Sequence, residues 1–293
     1  LSDVHLKKAL DRLYDSFDFE SRKYHDPVAF PHRYKAKKDK EVVAFISALF
    51  AYGKVDLFRL FLEKVFAVMG TSPYSFIMEF DKRRDSIHFR GLRYRFNGYD
   101  DIILLIQVLK AVLSDEPSLD SLFQKIYDRS GQDMRKALTG YVDHMHDIAG
   151  RLGVPGTGFR HMLPSPVNGS ACKRLNLFCR WMVRDRDIDL GIWKGIPKNK
   201  LIIPLDTHIA RIGRCLELTH RKSVDWKTAE KITESLKRFD PDDPLKYDFA
   251  LCHQGIMGIC REEMKLCRKC TLNIKTKSYS QARRKKEAMG EPT

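Results

Sequence analysis

Apolar residues recur every three to four positions along most of this chain, the spacing that lines one face of an α-helix. Glu41–Tyr52 (EVVAFISALFAY) and Asp56–Met69 (DLFRLFLEKVFAVM) carry the pattern most plainly. Tyr99–Leu113, Leu119–Tyr127, Arg135–Ala149, Ser170–Val183, Thr207–Leu216 and Trp226–Phe239 repeat it. Asp240-Pro241-Asp242-Asp243-Pro244 then ends it, because proline removes a helix donor and clashes with the turn before it. Alternation with a period of two is scarce outside Leu201–Pro204. The pattern predicts an all-α protein of about a dozen helices.

Between these segments, Gly150–Ser170 is rich in Gly, Pro, Ser and Asn and reads as a loop entering a helix. Arg184–Lys200 is charged and broken by Gly and Pro, which predicts an insertion looped out between two packed helices. Residues 277–293 are polar and basic and predict a mobile tail. No internal repeat is visible.

Charge narrows the choice of partner. The formal net charge is +15, of which the tail contributes a net +3, so +12 sits on the rest of the chain. A basic body favours a polyanion, because each phosphate contact releases counterions. Hydrophobic content is 43%, and no uncharged apolar run is long enough to span a bilayer, so no membrane partner is expected. The first residues, Leu-Ser-Asp-Val-His-Leu-Lys-Lys, lack the apolar core of a signal peptide. Seven cysteines, an odd number, argue against a disulfide framework and for a reducing compartment. A cytoplasmic, nucleoid-associated monomer is the expectation.

Two motifs carry candidate chemistry. In Pro204-Leu205-Asp206-Thr207-His208-Ile209-Ala210-Arg211-Ile212, Asp206 stands at the mouth of an amphipathic helix. Read by itself, it is an N-cap contributing about 1 kcal/mol. Read as chemistry, a carboxylate there can stabilise a cationic sugar or orient a nucleophile. The second motif is Cys260-x6-Cys267-x2-Cys270, three thiols at metal-ligand spacing. Three readings stand open for it: an iron–sulphur cluster with substitute ligation, a zinc site, or free thiols in a loop without metal. Cys252 and His253 are the nearest candidates for a fourth ligand. Cys172, Cys179 and Cys215 fall on apolar helix faces and read as small core residues.

Together, PLDTHIARI and the cysteine spacing resemble the helix–hairpin–helix base-excision glycosylases (the HhH-GPD superfamily), in an uncharacterised bacterial branch similar to endonuclease III. The resemblance runs from about residue 40 to 276. It implies two helical lobes with a cleft between them: residues 40–200, with the hairpin at about 163–185, and residues 1–39 plus 201–276. It makes Asp206 the catalytic carboxylate. It places the hairpin at Leu163-Pro164-Ser165-Pro166-Val167-Asn168-Gly169-Ser170, where Asn168, Gly169 and Ser170 would approach a phosphate at the start of the next helix. It puts Lys173, beside Arg174, near the Schiff-base lysine of lyase-type members, with a solvated or phosphate-binding lysine as the plainer reading. Lys173 precedes Asp206 by 33 residues, which the Arg184–Lys200 insertion would absorb.

The resemblance extends to the turn Phe50-Ala51-Tyr52-Gly53-Lys54, where Tyr52 or Phe50 would fill the space left by a flipped base. Gly91-Leu92-Arg93-Tyr94-Arg95-Phe96 is similar to the Gly-Tyr-Arg turn of oxoguanine-type members. With Lys54, Arg93, Arg95, His208 and Arg211, these residues form the expected nucleic-acid surface. A [4Fe–4S] cluster on Cys260, Cys267 and Cys270 is also implied; the fourth position falls at Thr276, leaving Cys252 as substitute. The implied function is excision of a damaged or modified base from double-stranded DNA, with lyase activity through Lys173. RNA remains an alternative substrate, and a non-catalytic nucleic-acid-binding protein is the competing class.

Overall fold

The computed structural model describes residues 2–260 and 272, and among them it is all-α. In chain order the helices are α1 (Asp3–Asp15), α2 (Phe19–Lys23), α3 (Ala29–His32), α4 (Lys37–Leu49), α5 (Val55–Met69), α6 (Pro73–Glu79), α7 (Lys82–Asp85) and α8 (Tyr99–Asp115). They continue as α9 (Leu119–Arg129), α10 (Met134–Leu152), α11 (Thr157–Met162), α12 (Lys173–Val183), α13 (Thr207–Cys215), α14 (Trp226–Lys237) and α15 (Asp248–Ile256). Strand pairing among the described residues is limited to two isolated bridges, Tyr94 with Asn97 and Ser170 with Asp225.

Local chemistry sets many of the helix starts. Asp18, Asp81, Ser118, Asp133, Asp206 and Asp225 each accept a first-turn backbone N–H, filling a donor that the helix cannot pair for itself. Two caps come from far away. Buried Glu41 on α4 accepts the N–H groups of Leu119 and Asp120, both at 2.9 Å, and so seats the start of α9. Asp39, also on α4, accepts the N–H of Tyr74 at 2.9 Å at the start of α6. Helix α4 is buried nearly all round and packs on α3, α6 and α12, which makes it the central element.

Three regions differ from the sequence pattern. Residues 3–32 form three helices; α1 buries Leu6, Ala9, Leu10 and Leu13, a helical stripe the pattern already contained. The helix expected from Ser170 begins at Lys173, because Cys172 adopts a left-handed backbone (φ 46°) that a continuous helix excludes. The stretch Arg184–Lys200 is irregular but is not looped out. Ile188, Trp193 and Ile196 are buried, and Trp193 packs against Phe123 and Phe178 while its Nε1 donates to Glu41 at 2.7 Å. Apolar anchors at irregular spacing carry no helical period, so the pattern read as exposed.

Behind this stretch lies a buried network of charge. Arg180 pairs with Asp189 (3.2 Å) and Asp248, and Arg184 with Asp243 (2.9 Å), Asp187 (3.1 Å) and Asp189. Both guanidiniums are almost inaccessible, and Asp189 bridges them. Removing one partner of such a set strands a charge in the interior. Asp189→Ala is expected to cost about 3–5 kcal/mol of unfolding free energy by denaturant titration, with Asp189→Asn milder. A loss below about 1 kcal/mol, the range of an exposed pair, would contradict this role.

Candidate active site

A cavity of about 990 Å³ opens where several of these elements meet. One wall is the face of α12 that carries Lys173, Leu177 and Arg180, at positions one, five and eight of the helix. The facing wall is α15, with Asp248, Phe249, Cys252, His253 and Ile256 at the matching spacing. Asp206 and His208 enter from the start of α13, Asp26 and Pro27 from the turn before α3, and Tyr52, Gly53 and Lys54 from the turn before α5.

Lys173 and Asp206 come together in this cavity: Lys173 Nζ lies 3.3 Å from Asp206 Oδ2. The backbone enforces the meeting from both sides. Gly169 (φ 81°) and Cys172 (φ 46°) turn the chain sharply, the Cys172 thiol donates to the Pro164 carbonyl at 3.1 Å, and Lys173 becomes the first residue of α12. Opposite, Asp206 uses Oδ1 to cap α13 through Ile209 N–H at 2.9 Å. That leaves Oδ2 for Lys173 and for the Cys252 thiol, which donates to it at 3.6 Å. Helix α13 packs closely on α15: a side chain at Gly255 would strike the His208 ring at 2.5 Å.

The electrostatics favour the charged pair. Burial alone would raise the Asp206 pKa, but Lys173, the Ile209 N–H and His208 outweigh it and hold the carboxylate below its ordinary value. Burial alone would lower that of Lys173, and Asp206, Cys252 and Asp26 outweigh it, so its pKa is raised. The pair therefore contributes across the neutral range. Its carboxylate side is lost as pH falls through the depressed Asp206 value, its ammonium side as pH rises through the elevated Lys173 value. Burial pushes Asp248 up to about 6 even with Arg180 bonded to it, and burial, helped by Arg22 and Arg180, takes His253 down to about 4. Burial and the neighbouring Asp206 keep Cys252 a thiol.

The remaining candidates divide. Lys54, Arg93 and Arg95 are exposed, and Lys54 stands at the cavity rim. Phe50 is buried in the core, and Tyr52 is half-buried, its hydroxyl donating to Asn97 Oδ1 at 2.7 Å, so neither projects as a wedge. The exposed aromatic of this region is Phe96, carried on a turn where Tyr94 and Asn97 exchange both backbone hydrogen bonds and Arg95 takes φ 51°. Gly53 permits that turn to close on it, since a Cβ there would meet Arg95 Nη1 at 2.6 Å.

Several expected phosphate contacts are engaged elsewhere. Arg174, expected on the nucleic-acid surface, lines the cavity but is buried, donates to the carbonyls of Leu49 and His161, and lies over the Tyr52 ring, with burial lowering its pKa to about 10. Arg211 donates to the Cys260 carbonyl and meets His208 at 3.3 Å. The N–H groups of Asn168 and Gly169 bond inside their own turn, to Ser165 and Pro166, and the Ser170 hydroxyl accepts Cys172 N–H. Carbonyls compete for these donors, and nothing in the residue types announces it.

Of the cysteine motif, Cys260 is described, its N–H donating to the Gln254 carbonyl at 2.8 Å; Cys267, Cys270 and Thr276 lie outside the described residues. Cys252 directs its thiol to Asp206. Among the described residues, no three His, Cys, Asp or Glu side chains gather as a metal site. Asp26, Asp248, Phe249 and Arg180 were not singled out from the sequence. The signal available was a charged residue on an otherwise apolar helix face, as at Asp248 in DFALCHQGI.

A family model described as "Protein of unknown function (DUF2400)" matches residues 26–257, well over half of the chain. The matched span opens at Asp26 and closes at Met257, both on the cavity wall. The protein belongs to this DUF2400 family. No curated protein and no solved structure matches the chain. No helix among the described residues is long and apolar enough to cross a membrane.

The ion pair has a direct test. In Lys173→Met the burial of Asp206 loses its main compensation, so the Asp206 carboxyl pKa is expected to rise, as read by carbon-13 NMR titration. An unchanged value would mean that Lys173 does not hold the carboxylate.

Proposed function

We propose that this protein is a DNA N-glycosylase of the helix–hairpin–helix type, with its cavity receiving a base flipped out of a duplex. In this reading residues 40–200 form one lobe, residues 1–39 with 201–276 the other, and the cavity is the cleft between them. The observation that carries the proposal is the meeting of Lys173 and Asp206, 33 residues apart in sequence, at 3.3 Å on the wall of a cavity large enough for a nucleoside. The first of these follows a tight turn and the second heads a helix, as the resemblance implies. Exposed Lys54 on the rim, with Arg95 beside Gly53 and Phe96 beside His161, supplies cations and a stacking surface next to the cavity, and the net +12 outside the tail favours a polyanion.

The chemistry follows from the charges. When the N-glycosidic bond breaks, its electron pair leaves with the base and the sugar carbon becomes cationic. Asp206 is ionised and partly desolvated, so it stabilises that cation more strongly than a carboxylate in water. Water then adds to the carbon, and the proton it loses passes by way of Asp206 to the departed base anion, so that hydrolysis ends with a neutral base and a free sugar hydroxyl. Lyase chemistry needs one step more. Lys173 rests as an ammonium, which is not a nucleophile, so it must first release a proton, and Asp206 is the neighbouring acceptor. The Cys252 thiol, donating to the same oxygen, fixes the carboxylate in place.

Excision measured on a panel of duplexes carrying single damaged or modified bases tests this function. Wild type is expected to release one class of base. Asp206→Asn should lower the rate by about 100-fold or more while duplex affinity stays within a few-fold. Binding of duplex with no release from any substrate would favour the non-catalytic nucleic-acid-binding alternative, which the internally bonded hairpin amides support. Unchanged turnover by the variant would remove Asp206 from the mechanism.

A further inference from the structure

We infer that Asp26 is the base-reading residue of the cavity and that it selects a guanine-type edge, in which a ring N–H and an exocyclic amine stand side by side. This rests on the glycosylase reading in one respect, that the occupant is a nucleobase.

Charge inside the cavity is unevenly compensated. Four carboxylates line it, Asp26, Asp56, Asp206 and Asp248, of which Asp56 is exposed to solvent in the first turn of α5. Asp206 is paired with Lys173, and Asp248 with Arg180. Arg174 is bound to two carbonyls. Solvent screens Asp56, whereas Asp26 is half-buried, and among the described residues no lysine, arginine or histidine comes within ion-pair distance of it. Val28 N–H donates to Oδ1 at 2.9 Å, which pins the carboxyl in a tight turn, and among the described residues no protein group donates to Oδ2, which is left open to the cavity. Lys173 and Arg180 act on it only at longer range, and burial wins, raising its pKa.

An acceptor held in place on a cavity wall, with no protein donor facing it among the described residues, sets the chemistry of what should face it. The occupant must bring N–H groups. Phe249, with the His253 ring at 4.1 Å, and half-buried Tyr52 add flat aromatic surface, which suits a planar heterocycle. Bases differ in the edge they present to a carboxylate. Guanine offers two adjacent donors, matching its two oxygens, since Oδ1 keeps a second lone pair after accepting from Val28. Neutral adenine and cytosine set an amine beside an acceptor nitrogen. Thymine and uracil set one N–H between two carbonyls, each of which the carboxylate repels. A site built around donors rejects an analogue that lacks them more sharply than a hydrophobic slot rejects a change of shape.

Nucleoside binding to the full chain tests this without any reaction. The probes are deoxyguanosine, deoxyinosine (which lacks the exocyclic amine), N1-methyldeoxyguanosine (which lacks the ring N–H), deoxyadenosine and thymidine, titrated at millimolar concentration by ligand-observed NMR. Wild type is expected to prefer deoxyguanosine by about ten-fold for each donor removed. Asp26→Asn keeps an oxygen for Val28 N–H but turns one acceptor into a donor. It should abolish that preference while leaving thymidine binding unchanged or stronger. Equal affinity of wild type for deoxyguanosine and deoxyinosine, a preference that survives Asp26→Asn, or no binding of any probe would overturn the inference. The wild-type ranking requires no variant, so misfolding of Asp26→Asn leaves the test standing. The two proposals also fail separately. A deoxyguanosine preference without excision of any base removes the glycosylase and keeps Asp26 as a guanine reader. Excision of a pyrimidine lesion without that preference does the reverse.

Discussion

A carboxylate that caps a helix with one oxygen has a second oxygen free, and in this protein the second oxygen of Asp206 determines the site. Oδ1 is bound to the first turn of α13, and Oδ2 receives Lys173 from α12 and the Cys252 thiol from α15. Three helices thus converge on one side chain. Because the cap fixes the carboxylate's position, the ammonium and the thiol have a defined point to meet, and the cavity takes its shape around it.

The buried charges behind this point support the same geometry. Arg180 stands one turn beyond Leu177 on the cavity face of α12 and holds Asp248, one turn before Cys252 on α15. The network of Arg180, Arg184, Asp189 and Asp243 therefore joins α12, the irregular 184–200 stretch and the segment leading to α15. Buried ion pairs contribute little net stability against an apolar alternative. Their effect here is to fix which faces of α12 and α15 meet, since a register shift of either helix would leave an unpaired charge inside. Asp26, half-buried on the same cavity wall, has no such cation beside it among the described residues.

Much of this was legible in the sequence because it is local. The helical period in 41–52, 56–69 and 99–113 reports a buried face, and Asp206 before an apolar-periodic run reports a cap. Asp206 at a helix entrance and Lys173 after a turn-forming segment both stood out as site candidates, and the fold brings them to 3.3 Å. What stayed hidden is non-local. Arg174 and Arg211 read as surface cations, yet backbone carbonyls reached through long side chains claim them. Trp193 sits in a stretch with no period and is nonetheless fully buried, because its anchor, Glu41, lies 152 residues away. Asp26 and Asp248 acquire meaning only when distant helices close a cavity between them.

The central claim is that a deoxyribose placed in this cavity meets Lys173 across from Asp206. The most direct measurement is borohydride trapping of the full chain on a duplex containing one abasic site, followed by peptide mass mapping of the adduct. The account predicts a single adduct on the peptide that contains Lys173, absent from Lys173→Gln. An adduct mapped to any other lysine, or none on a duplex that the protein demonstrably binds, would contradict it.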